Sequence, residues 1–262
     1  MIYLINYADA KFSAAQKFNT STGMKVGGFD FVREFSPGLI DIDFRQNFSN
    51  ILSQRKGGGY WLWKPWVIQN TLDQINDNDL LFYSDSAAYF INPVKPLKDL
   101  PWEFEQDVIP FELELPECNW TKRDAFIAVG VDGRGHEQTN QRLASFILLR
   151  KTEFSRYFIN EYLKYCCDEQ VLTDLHNKYG LDNFDGFREH RHDQSIYSLL
   201  TKKYSLTSFR DPSQWGISRV AEFSNSNYPQ ILEHTREKNP KQAKFFYKVK
   251  NWFFPKKLKK VF

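Results

Sequence analysis

The chain has 262 residues, 17% of them aromatic, and a formal net charge of +3. That length suits one large domain with a sizeable core, and no apolar run approaches the roughly 18 to 20 residues of a membrane span. Its three cysteines, Cys118 and the adjacent Cys166 and Cys167, form neither a paired framework nor a CxxC metal spacing, which points to a reducing compartment.

Ile2 to Asn6 reads as an opening strand and not a signal peptide, because polar Asn6 and Asp9 interrupt the apolar run. Asp9 is placed to cap a helix with Phe12, Ala15 and Phe18 on its apolar face. Phe29 to Phe35 alternates as a second strand does, and Asp41 or Asp43 caps a helix running to about Gln54. Gly57, Gly58 and Gly59 then lead into Tyr60, Trp61, Trp63 and Trp66. Pro65 suits the first turn of a helix carried on by Val67, Ile68, Leu72 and Ile75. After the turn Asn76-Asp77-Asn78-Asp79, Leu80 to Tyr83 has the composition of a buried parallel strand, ending at Ser84-Asp85-Ser86. This β-α-β-α-β order predicts an α/β class with a doubly wound, Rossmann-like half.

Beyond it, residues 92–122 are rich in proline and read as connections with short strands, one of them an edge strand over Phe111–Leu115. Phe126 to Val131 reads as a buried strand ending at Asp132, residues 133–141 as a mobile loop, and Ala144 to Leu149 as another apolar run. Phe154 to Cys166 has helical spacing, and a second helix is expected over Glu169–Leu175. The run Glu189-His190-Arg191-His192-Asp193-Gln194-Ser195 precedes the helical spacing Ile196, Leu199, Leu200. Residues 202–227 read as irregular structure.

A glycine loop feeding a helix N-terminus lets backbone N–H groups approach an anion. A strand-end carboxylate such as Asp85 can hold a hard divalent cation, which in turn bridges phosphate oxygens. Together they suit a diphosphate ligand. The plain alternatives are a flexible glycine loop, a turn aspartate, a solvated 190–192 loop with Asp193 as a cap, and aromatics that pack against the sheet.

GGGYWLWKP, the strand ending in YSDSAA, and EHRHDQSIYSLL resemble bacterial GT-A glycosyltransferases of capsule and lipopolysaccharide synthesis, over roughly residues 1–205. The resemblance implies a GT-A mixed sheet flanked by helices that binds a nucleotide-sugar donor, UDP-linked in many members, with Mn2+ or Mg2+. It transfers the sugar to a hydroxyl of a surface or lipid-linked glycan. On the donor side it places Asn6, Tyr7, Gly58, Gly59, Tyr60, Trp61, Lys64, Ser84, Asp85 and Ser86. Asp85 matches the first carboxylate of the Asp-x-Asp metal motif, but Ala87 stands at the third position, so His190 and His192 are expected to complete the metal shell. Asp193 and Gln194 take the catalytic roles, tilting toward retention of configuration, and Asp132 and Gln141 are acceptor-side expectations. A non-catalytic nucleotide- or glycan-binding module on the same fold is the alternative left open by Ala87.

Residues 241–262 hold eight Lys and no acid, and removing those eight from +3 leaves about −5 for residues 1–240. An acidic body is the opposite of a nucleic-acid-binding face. The aromatic-lysine segment 241–262 reads as a basic amphipathic piece lying on an anionic membrane surface, following a transferase domain over 1–240. The expected location is cytoplasmic, at the inner face of the cell membrane.

Overall fold

The opening apolar run forms strand β1 (Ile2–Tyr7), followed by helix α1 (Ser13–Thr22), strand β2 (Phe31–Phe35) and helix α2 (Ile42–Asn47). Of the two candidate caps it is Asp41 that caps α2, accepting the N–H groups of Asp43 and Phe44 at 3.0 Å. Asp9 instead closes the turn ahead of α1 by accepting from Lys11 and Phe12, and Phe12 occupies the cap position. Helix α3 (Trp63–Leu72) leads to β3 (Leu80–Ser84) and a short β4 (Ala88–Phe90). Next come β5 (Val108–Pro116), α4 (Arg123–Val129), β6 (Asn140–Arg150), α5 (Glu153–Cys166) and α6 (Asp193–Lys203). The two-residue β7 (Phe209–Arg210), a 3₁₀ helix over Gln214–Glu222, and β8 (Leu232–His234) complete the elements. The computed structural model describes residues 1–239, so the basic segment 241–262 lies outside the described residues.

Six strands form one mixed sheet in the order β2-β1-β3-β6-β5-β7, with β4 and β8 paired separately. β1 runs parallel to both β2 and β3, while β6 runs antiparallel to β3 and β5. Both faces of the sheet are covered, which is why its central strands read as unbroken apolar runs. Leu81, Tyr83, Ile147 and Leu149 face one core, built with Val67 and Leu72 of α3, Phe158 and Tyr162 of α5, and Ile196 and Leu200 of α6. Leu80, Phe82, Phe146 and Leu148 face the other, filled by Phe29, Phe90, Leu97 and Ile231. The expected α/β sheet flanked by helices is the architecture observed.

Several elements differ from the sequence expectation. Phe126 to Val131 lies in helix α4 and its end, not in a strand. Its apolar residues fall at helical spacing (Ala125, Phe126 and Val129 are buried), and Gly130, at φ 81°, closes it by donating to Phe126 and Ile127. From the sequence alone a short apolar run fits a strand or a helix, and this cap decides it. The expected helix over Glu169–Leu175 is a single turn, Glu169–Leu172, ended at Thr173 in extended conformation. Phe111 to Leu115 belongs to β5, where Phe111 and Glu112 pair with β7, so β7 is the edge. Residues 133–141 contain a 3₁₀ turn, His136–Gln138, and the first residues of β6.

Candidate functional site

Strand β3 ends where its ladder still holds, with the Asp85 N–H donating to Ser145 O at 2.8 Å. Tyr83 points into the α3–α6 side of the sheet and donates its hydroxyl to Asp85 Oδ1 at 2.6 Å. Lys64, in the first turn of α3, reaches the same place. Its Nζ lies 3.5 Å from Asp85 Oδ1, 2.8 Å from Asp193 Oδ2 and 3.2 Å from Ala144 O. Asp193 opens α6 and takes a second bond from the Tyr162 hydroxyl at 3.2 Å. A tyrosine, an aspartate, a lysine, an aspartate and a tyrosine thus form one chain across β3, α3, α6 and α5.

Exposure separates the two carboxylates. Asp85 keeps 26% of its side-chain surface accessible, against 5% for Asp193 and 4% for Lys64. Asp85 is therefore the one that can meet a ligand, while Asp193 and Lys64 build the wall behind it. Burial alone pushes the Lys64 ammonium down, but Asp193 and Asp85 outweigh it and hold it above its ordinary range. Burial pushes the Asp193 carboxyl up, with Lys64 pulling the other way. Burial first, and then the neighbouring carboxylate, drives the Tyr83 and Tyr162 phenols well upward, so both stay protonated donors.

Gln194 follows on α6 and is only half-buried. Its carboxamide is clasped by β6: Nε2 donates to Gln141 Oε1 at 2.8 Å, and Oε1 accepts the Ala144 N–H at 3.4 Å. Gln141 is fully buried, and its own Nε2 is engaged with Thr121 Oγ1, Ser195 Oγ and Glu117 Oε2. The acceptor-side expectation for Gln141 is corrected accordingly: it stands behind Gln194 and orients it. Asp132 is held by Arg123 in a two-point ion pair at 3.0 and 3.2 Å.

The glycine loop does something other than cradle an anion. Gly57, Gly58, Gly59, Tyr60 and Trp61 all have positive φ, a left-handed turn that three glycines make accessible. The N–H groups of Gly58, Gly59 and Tyr60 bond back to Arg55 O and Lys56 O, so the turn uses its own amides. Trp63 closes it from within, donating to Gly57 O at 3.0 Å and stacking on Tyr7 with ring centroids 3.7 Å apart. The turn's role is to aim α3, and with it Lys64. The other donor-side positions clasp the ends of β1 and β3. Ser86 donates to Tyr7 O at 2.6 Å, and Asn19 bridges Asn6, Ser84 and Ala88 O.

The two histidines expected to bind metal are not brought to Asp85. His190 has both ring nitrogens occupied: one faces Val171 O at 3.0 Å and the other accepts the Lys122 N–H at 3.2 Å. That pattern needs the neutral ring, and burial holds its pKa well below the usual value. His192 faces Leu172 O through Nδ1 and is enclosed by Tyr60 and Trp61, at centroid distances of 4.8 and 5.6 Å. Among the described residues no group of three or more His, Cys, Asp or Glu is placed to hold a metal. A further imidazole, His234, lies within the electrostatic reach of Asp85. β8 sets His234 opposite Ala88, its ring has no hydrogen-bond partner among the described residues, and it lies in the field of Asp85 and Lys64. Burial lowers its pKa to about 4, leaving a neutral imidazole. Asp85 Oδ2 likewise has no partner among the described residues.

Sequence reasoning missed His234, Asn19, Tyr83 and Tyr162. Only Tyr83 carried a signal, because it precedes Asp85 by two positions and so shares its side of the strand. A cleft of about 440 Å³ is lined by Asn177, Asn183, Phe187, Arg188, His190 and their neighbours, but by none of Lys64, Asp85 or Asp193.

No protein-family model matches the sequence, and no curated protein sequence does. Solved structures resemble the fold at low identity. Mouse xyloside xylosyltransferase 1 is 10% identical, with a TM-score of 0.47 over 92% of this chain and 99% of that one. The galactosyltransferase LgtC, solved with donor and acceptor sugar analogues, is 14% identical, with a TM-score of 0.46 over 99% and 97%. A glycosyltransferase involved in glycosylating the major capsid of PBCV-1 is 8% identical, with a TM-score of 0.44 over 94% and 98%. All three TM-scores fall below one half, and the chemistry is built from the side chains alone.

Proposed function

We propose that the chain is a glycosyltransferase that moves a sugar from a nucleoside diphosphate, UDP in the simplest case, to a hydroxyl of a lipid-linked or surface glycan. One observation carries the proposal: an accessible strand-end carboxylate, Asp85, shares a buried ammonium with Asp193 at the start of the helix that presents Gln194. Breaking the bond between the anomeric carbon and the donor oxygen sends its electron pair to the diphosphate. The acceptor oxygen bonds to the anomeric carbon, and its proton passes to an oxygen of the departing diphosphate. This course retains configuration. Charge therefore develops with opposite sign at two neighbouring centres, and preorganised groups at each are the largest expected contribution to rate.

In this reading Gln194 touches the transferring sugar, and its carboxamide is held by Gln141 and Ala144. Asp193 contributes a fixed negative field beside the anomeric centre and keeps Lys64 in place. A divalent cation, when bound, would be held by Asp85 and His234 and would neutralise the diphosphate. The cleft beside His190, polar with one aromatic side chain, suits the acceptor's sugar. Segment 241–262 would keep the enzyme at an anionic membrane, in keeping with capsule or lipopolysaccharide assembly.

Nucleotide release from a panel of nucleotide sugars, with and without Mn2+, tests this. Asp85→Asn is expected to abolish release, and His234→Ala to weaken the Mn2+ response while His190→Ala does not. Tight donor binding without release by the native chain would support the non-catalytic module instead, which the alanine at position 87 favours.

A further inference from the structure

The 3₁₀ helix Gln214–Glu222 is built inside out. Its buried residues are Gly216 and Arg219, whereas Trp215, Ile217 and Val220 are 58%, 53% and 56% exposed. Surface helices ordinarily do the reverse. Ile217 and Val220, three positions apart, lie one above the other on a 3₁₀ helix, and Trp215 precedes them. Scattered exposed apolar residues need no explanation, but three large ones on one rigid element do.

The helix has no freedom to roll them inward. Arg219 bonds Glu112 and Glu222, each at 2.9 Å. A methyl group at Gly216 would collide with the Asp211 carbonyl, so that face sits flush on the domain. Gln214 exchanges two hydrogen bonds of 2.8 Å with the backbone of His234. That last contact ties β8, the last described strand, to this helix. The described residues end five positions beyond His234, and the sequence continues into eight lysines interleaved with Phe245, Phe246, Trp252, Phe253 and Phe254.

We infer that Trp215, Ile217 and Val220 form an insertion wedge with which the folded domain docks on an anionic bilayer, acting together with the basic segment that follows in the sequence. A tryptophan flanked by aliphatic side chains suits the boundary between headgroups and acyl chains. Three side chains are too small a patch for a stable contact between two copies, which needs about 800 Å² from each. They are enough to add an apolar component to electrostatic attraction by the lysines. The inference rests on the proposed function only for its purpose, a lipid-borne acceptor. Its test uses neither donor nor acceptor, so the two fail separately.

The full chain is sedimented with phosphatidylcholine vesicles, with and without phosphatidylserine, at low and high salt. Wild type is expected to favour the anionic vesicles and to keep part of its binding at high salt. Replacing Trp215, Ile217 and Val220 together by serine is expected to lower partitioning by about 10- to 100-fold, with what remains released by salt. Bromine-labelled lipid adds a measurement that needs no destabilising change: it quenches wild-type tryptophan emission more than that of Trp215→Phe. Equal vesicle binding by wild type and the triple variant overturns the inference. So does a patch whose loss abolishes self-association in sedimentation equilibrium while vesicle binding stays the same.

Discussion

Lys64→Met removes the ammonium shared by Asp85 and Asp193. At an effective dielectric of about 20, charges separated by 2.8 and 3.5 Å attract by about 6 and 5 kcal/mol. Desolvation of the buried groups offsets most of that in the wild type, yet deleting one partner leaves the other buried and unpaired, which costs about 3–5 kcal/mol. Asp193 bears the cost, since Asp85 still reaches water. The loss must depend on pH. Burial already raises the Asp193 carboxyl, and removing Lys64 raises it further. A carboxyl with a raised folded-state pKa gives stability that is fully present below its unfolded value and disappears as pH climbs through the folded one. Urea unfolding should therefore show a deficit of about 3–5 kcal/mol at about pH 8 that shrinks markedly at about pH 5. Adding Asp193→Asn should recover at least half of it at the higher pH without restoring nucleotide release. A single variant within about 1 kcal/mol of wild type at about pH 8, or no recovery in the double variant, would refute the shared-ammonium account.

Gly59→Ala places a methyl 2.6 Å from the Leu52 Cα at φ 99°. It is expected to lower unfolding free energy by at least about 2 kcal/mol, and to lower turnover by displacing α3 and Lys64. Gln141→Leu leaves the Gln194 amide unclasped, so kcat should fall about 10- to 100-fold with KM for the donor little changed; an unchanged kcat would assign Gln141 to packing alone. His192 and His234 are both pushed to about 4 by burial. Each folded-state pKa is depressed, so their contribution is present above the unfolded value of about 6.5 and is lost as pH falls toward 4, about 3 kcal/mol each at the lower end. Tm measured across that window should drop steeply, and less steeply in His234→Leu.

The sequence carried the strands of the sheet's centre, because Leu80 to Ser84 and Ala144 to Leu149 are buried on both faces and their composition says so without a partner. It narrowed the α2 cap to Asp41 or Asp43, since a cap's hydrogen bonds span three residues, and it carried Asp85 at the end of its strand. It misread Phe126 to Val131, where six apolar or small residues fit a strand or a helix and the helix is decided by Gly130 and by which side meets the core. The three glycines marked a turn, but its left-handed course through Tyr60 and Trp61 depends on Trp63 folding back onto Gly57 and on the stack with Tyr7. The histidine expectation failed for a related reason. His190 and His192 are close to Asp193 along the chain, yet the carbonyls of Val171 and Leu172 claim them, whereas strand pairing between β8 and β4 sets His234 opposite Ala88. Sequence alone determined the local features, namely burial pattern, caps and a carboxylate at a strand end, since each depends on neighbours within a few residues. Only the tertiary structure decided that Lys64, Asp85 and Asp193 belong together, because their energies depend on separations and on exclusion of water that no single segment sets.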